Sequence, residues 1–177
     1  MHLLLRQTVG YRPSVGMRNY LVEGVSGTGK RSVCNELRRR GFQAVNGDTD
    51  LAYQGDPETG KPTDDMPSHW HIWQVDEVRA LVADQNERLT FFCGGSRNFF
   101  KFLHPFDGVF VLEIDLDTLI RRLEQRPEDE FGAQQFERDL VVRLHRTDED
   151  VPQNGILIDA TAPLTDVVNA IVRRSPS

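Results

Sequence analysis

The sequence predicts a three-layer α/β/α domain built on a five-stranded parallel sheet. Short runs rich in β-branched and aromatic residues alternate along the chain with longer segments of helical periodicity, the order of successive β-α-β units covered on both faces. The 177 residues fit one domain, and no repeat, low-complexity tract or linker divides them.

In chain order, Asn19–Glu23 (NYLVE) reads as the first strand, running into a glycine-rich turn. Lys30–Arg40 reads as a helix, with Val33, Cys34 and Leu37 on one face and Gly41 as its stop. Phe42–Asn46 is the second strand. Gly47–Pro67, rich in Pro and Gly, reads as a long loop of the kind that is usually functional or mobile. Trp70–Asp84 reads as a helix carrying Trp70, Trp73, Val78, Leu81 and Val82 near one face. Leu89–Cys93 is a buried strand ending in Gly94-Gly95, after which Ser96 is placed to cap a short helix through Leu103. Gly108–Ile114 is the clearest strand. Asp117 is placed to cap a helix over Thr118–Arg126, which Pro127 ends. An acidic loop, Pro127–Gly132, leads to a helix over Ala133–Arg146 with Phe136, Leu140 and Leu144 in one stripe. Gly155–Asp159 is the fifth strand and Leu164–Arg174 the closing helix, with Pro163 near its start. Met1–Gly16 reads as an extension outside the core, with an edge strand at Leu3–Val9 as the alternative; the domain proper is then 17–177.

Composition narrows the function. With 38% hydrophobic and 27% charged residues, the chain can build a core and is not a disordered polymer. A net charge of −6 argues against a general nucleic-acid or anionic-membrane binder. Two cysteines, Cys34 and Cys93, exclude a disulfide scaffold and fit a reducing cytoplasm; both read as small buried apolar residues. No apolar stretch approaches the ~20 residues of a membrane helix.

Gly24-Val25-Ser26-Gly27-Thr28-Gly29-Lys30 matches G-x-x-x-x-G-K and lies between a predicted strand and a predicted helix. Glycines let backbone N–H groups wrap phosphate oxygens at the positive end of a helix, and Lys30 adds a point charge for the β- and γ-phosphates. The position after the lysine departs from the motif. It holds Arg31 where a Ser or Thr would ligate Mg²⁺, and Ser32, one residue on, is rotated by about 100°. Either Mg²⁺ is then held by phosphates, water and a carboxylate elsewhere, or the chain binds nucleotide and transfers phosphate poorly. Asp48-Thr49-Asp50 follows the second strand, at the end of the sheet where ligands gather. One carboxylate can order metal-bound water while the other accepts a proton from a substrate hydroxyl, or both can serve a turn. His69 and His71 would diverge by about 200° on a helix, and the neighbouring tryptophans suit a pocket wall or the core. Asp115 and Asp117 repeat the D-x-D spacing, where a helix cap is the expected use.

With these motifs in this order, the chain resembles the small-molecule kinases of the P-loop superfamily, shikimate-kinase-like and gluconate-kinase-like enzymes, over nearly all of Arg18–Arg174. The resemblance implies ATP as co-substrate with Mg²⁺, bound by Gly24, Ser26, Gly27, Thr28, Gly29, Lys30, Arg31 and Ser32. It implies Asp48 as the residue holding Mg²⁺ through water and Asp50 as catalytic base or hydroxyl-binding group. Gly94, Gly95, Arg97 and Arg143 would line the acceptor site. A lid around residues 122–135 would bring Arg122 and the catalytic Arg126 over ATP, and Thr161 and Pro163 would pack on adenine. The expected function is ATP-dependent phosphotransfer to a small hydroxylated metabolite by a cytoplasmic monomer or homodimer. The alternatives are a divergent nucleoside or nucleotide kinase and a non-catalytic ATP-binding module, the latter suggested by Arg31.

Overall fold

The computed structural model describes residues 17–64, 71–84 and 86–176. The possible strand at Leu3–Val9, His69 and Trp70 lie outside the described residues. The elements in chain order are β1 (Arg18–Glu23), α1 (Lys30–Arg39), β2 (Gln43–Asn46), the one-turn α2 (Gly47–Asp50), β3 (Ala52–Gln54), β4 (His71–Trp73) and α3 (Val75–Ala83). They continue with β5 (Leu89–Cys93), β6 (Gly108–Glu113), α4 (Leu116–Glu124), α5 (Gln135–Thr147), β7 (Ile156–Asp159) and α6 (Leu164–Arg173).

Five strands form one parallel sheet in the order β2-β5-β1-β6-β7. Because every strand points the same way, the ends of β1, β2 and β5 meet at one rim, and Asn46 lies in register with Cys93. Both faces are buried, as an all-parallel sheet requires. On one, Val22, Phe91, Phe110 and Ile158 pack with Val33 and Leu37 of α1, Leu119 and Leu123 of α4, and Val168 and Ile171 of α6. On the other, Leu21 and Phe92 pack with Val78 of α3, Trp73 and Phe102. The expected five-stranded α/β/α architecture is present, and Cys34 and Cys93 are buried free thiols.

Several local expectations are corrected. The segment expected as a loop and the start of a helix contains an antiparallel two-stranded ribbon, in which Tyr53 pairs with Ile72. Trp73 belongs to that ribbon and is fully buried, stacked on Phe102 with ring centroids 5.5 Å apart. The helix therefore starts at Val75, not Trp70. Ser96 caps no helix: its hydroxyl accepts from Trp73 N at 3.1 Å, and only a 3₁₀ turn follows at Phe99–Lys101. The cap of α4 is Asp115, which accepts from Thr118 N at 2.8 Å, and not Asp117. On α5 the inward stripe is Val141 and Leu144, while Phe136 is exposed.

Candidate active site

Strand β1 delivers the chain to its rim at Glu23, and Gly24 to Gly29 then form the turn that opens α1. Gly27 has a φ of +98°, and a Cβ there would lie 2.8 Å from Leu119 Cδ1 on α4. The turn thus needs glycine for both conformation and the close approach of a helix. Thr28 faces inward, its hydroxyl donating to Val25 O at 2.9 Å. Lys30 Nζ donates to Gly24 O and, at 3.0 Å, to Val25 O, so the ammonium sits in the hollow of the loop. Ser26, Gly27, Gly29, Arg31 and Ser32 line the same cavity of about 970 Å³.

Two arginines of the α4 region close over this loop. Arg122 donates to Gly27 O at 3.2 Å, to Thr28 O at 3.3 Å and to Ala160 O at 2.9 Å. Arg126 donates to Ser26 Oγ at 3.0 Å and to Phe131 O. Burial, opposed by Glu130, lowers the Arg126 pKa, and the nearby Arg31 charge lowers it further. Asp129, Glu130 and Phe131 line the cavity, so the segment after α4 forms part of its wall. Beyond β7 the chain alternates: Ala160, Ala162 and Leu164 face the cavity. Thr161 turns away and closes on Asp159, and Pro163 caps α6. Thr161 and Pro163, the residues expected to pack on adenine, therefore do not line this cavity, whereas Ala160 and Ala162 do.

The other end of the cavity is polar. Asp48 Oδ1 accepts from Gly95 N at 2.9 Å and lies 3.2 Å from His71 Nε2. Burial raises the Asp48 pKa, but the His71 hydrogen bond, the Lys30 charge and the Gly95 N–H outweigh it. The carboxyl is held below its usual range. A Cβ on Gly94, whose φ is +153°, would lie 2.6 Å from both Asp48 Oδ1 and Trp73 Cζ2, so only glycine leaves room there for the carboxylate and the indole. Gly95 and Arg97 line the cavity. Arg97 Nη1 and Asp150 Oδ1 are both buried without a hydrogen-bond partner.

Two expected site residues point elsewhere. Asp50 accepts from Asn46 N at 3.1 Å and Thr49 Oγ1 at 2.9 Å, and lies 3.4 Å from Arg38 Nη2, outside the cavity. It ties off the one-turn α2: residues two apart on a helical turn cannot share one side. Arg143 is exposed and lies 3.5 Å from Glu149, also away from the cavity.

Two residues at the site, Glu23 and Asp150, escaped the sequence reading, and a third, His71, was singled out there without a role. Glu23 is fully buried at the end of β1, accepting from Gly24 N and Ser96 N, each at 3.1 Å. Burial, opposed by the Lys30 charge, raises its pKa to about 8. A charged residue inside an apolar strand run was its visible signal. His71 reaches the cavity through the β3–β4 ribbon. Asp150, between α5 and β7, returns to the cavity, and burial raises its pKa against the opposing charges of Lys30 and Arg97.

A protein-held Mg²⁺ does not fit these side chains. Arg31 stands where a hydroxyl ligand would, and Asp48 Oδ1 already accepts from Gly95 N and faces His71. Burial shifts Glu23 and Asp150 toward their neutral forms, and no three metal-ligating side chains converge among the described residues. At Asp48, Oδ1 is taken by Gly95 N and His71, so a metal-bound water would have to use the second carboxylate oxygen.

The family described as "AAA domain" matches residues 21–143. The chain belongs to this AAA domain family. A search of curated proteins finds no match. Solved structures share the fold at low identity. A gluconokinase from Sinorhizobium meliloti 1021 is 18% identical with a TM-score of 0.51, covering 86% of this chain and 88% of that one. A sugar kinase from Janibacter sp. HTCC2649 is 16% identical with a TM-score of 0.55, covering 89% and 93%. A shikimate kinase from Aquifex aeolicus is 13% identical with a TM-score of 0.52, covering 88% and 94%. This AAA domain chain therefore shares the fold of those structures, and among its described residues no helix is long and apolar enough to cross a membrane.

Proposed function

We propose that this protein is an ATP-dependent phosphotransferase whose acceptor is a small hydroxylated molecule bearing an anionic group. The observation that carries the reading is that one cavity runs from the Lys30 loop past Gly95 to Asp48, His71 and Arg97. A triphosphate end and an acceptor end are thereby joined without an intervening wall, as in-line transfer needs. Lys30 and Arg126 neutralise charge on the transferred phosphoryl group, and Arg122 fixes the loop that presents it. The acceptor hydroxyl hydrogen-bonds to Asp48, which is ionised at neutral pH and oriented by Gly95 N–H and His71. Asp48 thus takes the role first expected of Asp50. The unpartnered Arg97 Nη1 favours an acceptor carboxylate or phosphate, since buried guanidinium donors are rarely left unsatisfied. The segment after α4 acts as the lid, limiting hydrolysis by water.

Similarity to a gluconokinase and a shikimate kinase supports a small-metabolite kinase. A nucleoside acceptor stacked on Trp73 is disfavoured, because that ring is fully buried against Phe102. Arg31 favours a second reading, a non-catalytic ATP-binding module. The test is ATP consumption and product formation across sugar acids, cyclic polyols and nucleosides, with Lys30→Ala as blank. The kinase reading expects one class to give a phosphorylated product, lost in Asp48→Asn and kept in Asp50→Asn. No product from any class, with ATP still bound, would establish the binding module instead.

A further inference from the structure

We infer that Arg31 takes the place of a divalent cation at the triphosphate, so that this loop binds the metal-free nucleotide. The inference rests on the phosphate-loop reading above and concerns how that loop neutralises its ligand.

The residue following the lysine in the first turn of such a helix faces the bound phosphates, which is why a hydroxyl there ordinarily reaches the metal. Here that residue is Arg31, and it lines the cavity together with Lys30, Arg122 and Arg126. Arg31 is exposed at the mouth of this cavity, and among the described residues no carboxylate pairs with it, although acidic side chains line the same space. Arg31 also stands close enough to Arg126 for the two charges to oppose each other. A polyanion between them removes that repulsion. A guanidinium carries a permanent charge and presents paired N–H donors that match phosphate oxygens, so it serves the same oxygens a metal would bridge.

An uncomplexed triphosphate carries more negative charge than its magnesium complex, so it gains more from the Arg31 guanidinium at this end of the cavity. Glu23 is engaged by Gly24 N and Ser96 N, and one oxygen of Asp48 by Gly95 N beside His71. A dication entering beside Arg31 would meet a fixed positive charge rather than a ligand.

The test is calorimetric titration of ATP into the full chain, in EDTA and again in excess MgCl₂, for the wild type, Arg31→Thr, Arg31→Gln and Lys30→Ala. The wild type is expected to bind ATP at least as tightly in EDTA as with Mg²⁺. Both Arg31 variants should lose about tenfold or more in EDTA, the size expected for one charged hydrogen-bonding group. Arg31→Thr, which restores a hydroxyl, should then regain affinity on adding Mg²⁺, whereas Arg31→Gln should not. Lys30→Ala should weaken binding in both buffers, placing the ligand in this loop. Wild-type binding that depends on Mg²⁺, or Arg31 variants that match the wild type in EDTA, would overturn the inference while leaving the phosphate loop intact. A folded wild type that binds no ATP in either buffer would instead overturn the phosphate-loop reading, and the inference with it.

Discussion

Replacing Glu23 with Gln removes a buried titrating group while keeping its shape and one carbonyl acceptor. Glu23 is fully buried, and its pKa rises from the ordinary 4.5 to about 8 because burial outweighs the Lys30 charge. For an acid whose folded pKa lies above its unfolded one, the folded state binds the proton more tightly. Stability therefore falls as pH rises between the two values and levels off above the upper one. Each pH unit in that window costs about 1.4 kcal/mol, so the whole span is on the order of 5 kcal/mol. The assay is urea unfolding of wild type and Glu23→Gln at half-unit intervals from pH 5.5 to 9. The wild type should lose about 2–3 kcal/mol between pH 5.5 and 7.5 relative to the variant, with the difference flattening above pH 8. Taking the difference cancels the histidines and the other carboxyls. Parallel curves for the two proteins would refute the assignment of a neutral Glu23 at the end of β1.

Three further perturbations follow from the packing. Gly94→Ala places a methyl group 2.6 Å from Asp48 Oδ1 and Trp73 Cζ2 at a φ of +153°. It should cost about 1–3 kcal/mol in thermal or urea unfolding and depress phosphotransfer more than ATP affinity. Asp115→Ala removes the cap of α4 and should lower stability by about 1 kcal/mol, whereas Asp117→Ala should be nearly neutral in the same unfolding assay. Leu119→Ala opens a cavity under the phosphate loop. About 2–5 kcal/mol should be lost on chemical denaturation, and ATP affinity measured by calorimetry should fall because Gly27 loses its backing.

Where the sequence carried long, regular signals, it could be read. Strands such as Leu89–Cys93 are continuous apolar runs because both faces of the sheet are covered. The phosphate loop was legible because its glycines, lysine and flanking elements are consecutive in the chain. The β3–β4 ribbon was not: each strand has three residues, too few to show alternation, and the two are paired across a long connection. Trp73 has the spacing from Trp70 of a helical face, and only tertiary packing against Phe102 places it in a strand. Asp50 matches a motif in type and spacing, but spacing does not say which way a one-turn helix points its second carboxylate. The hydrogen bond that its carboxylate accepts from Asn46 N turns it back onto α2. Asp150 belongs to no motif, because a loop from the far end of α5 brings it to the site.

A single guanidinium, that of Arg122, grips carbonyl oxygens on both sides of the glycine-loop end of the cavity: Gly27 and Thr28 on one, Ala160 on the other. The gap between the phosphate cradle and the small apolar patch at Ala160 and Ala162 is consequently set like the jaws of a caliper before anything enters. A guest of matching length meets surfaces that need no rearrangement, and the ordering cost that ordinarily erodes affinity is borne by folding instead.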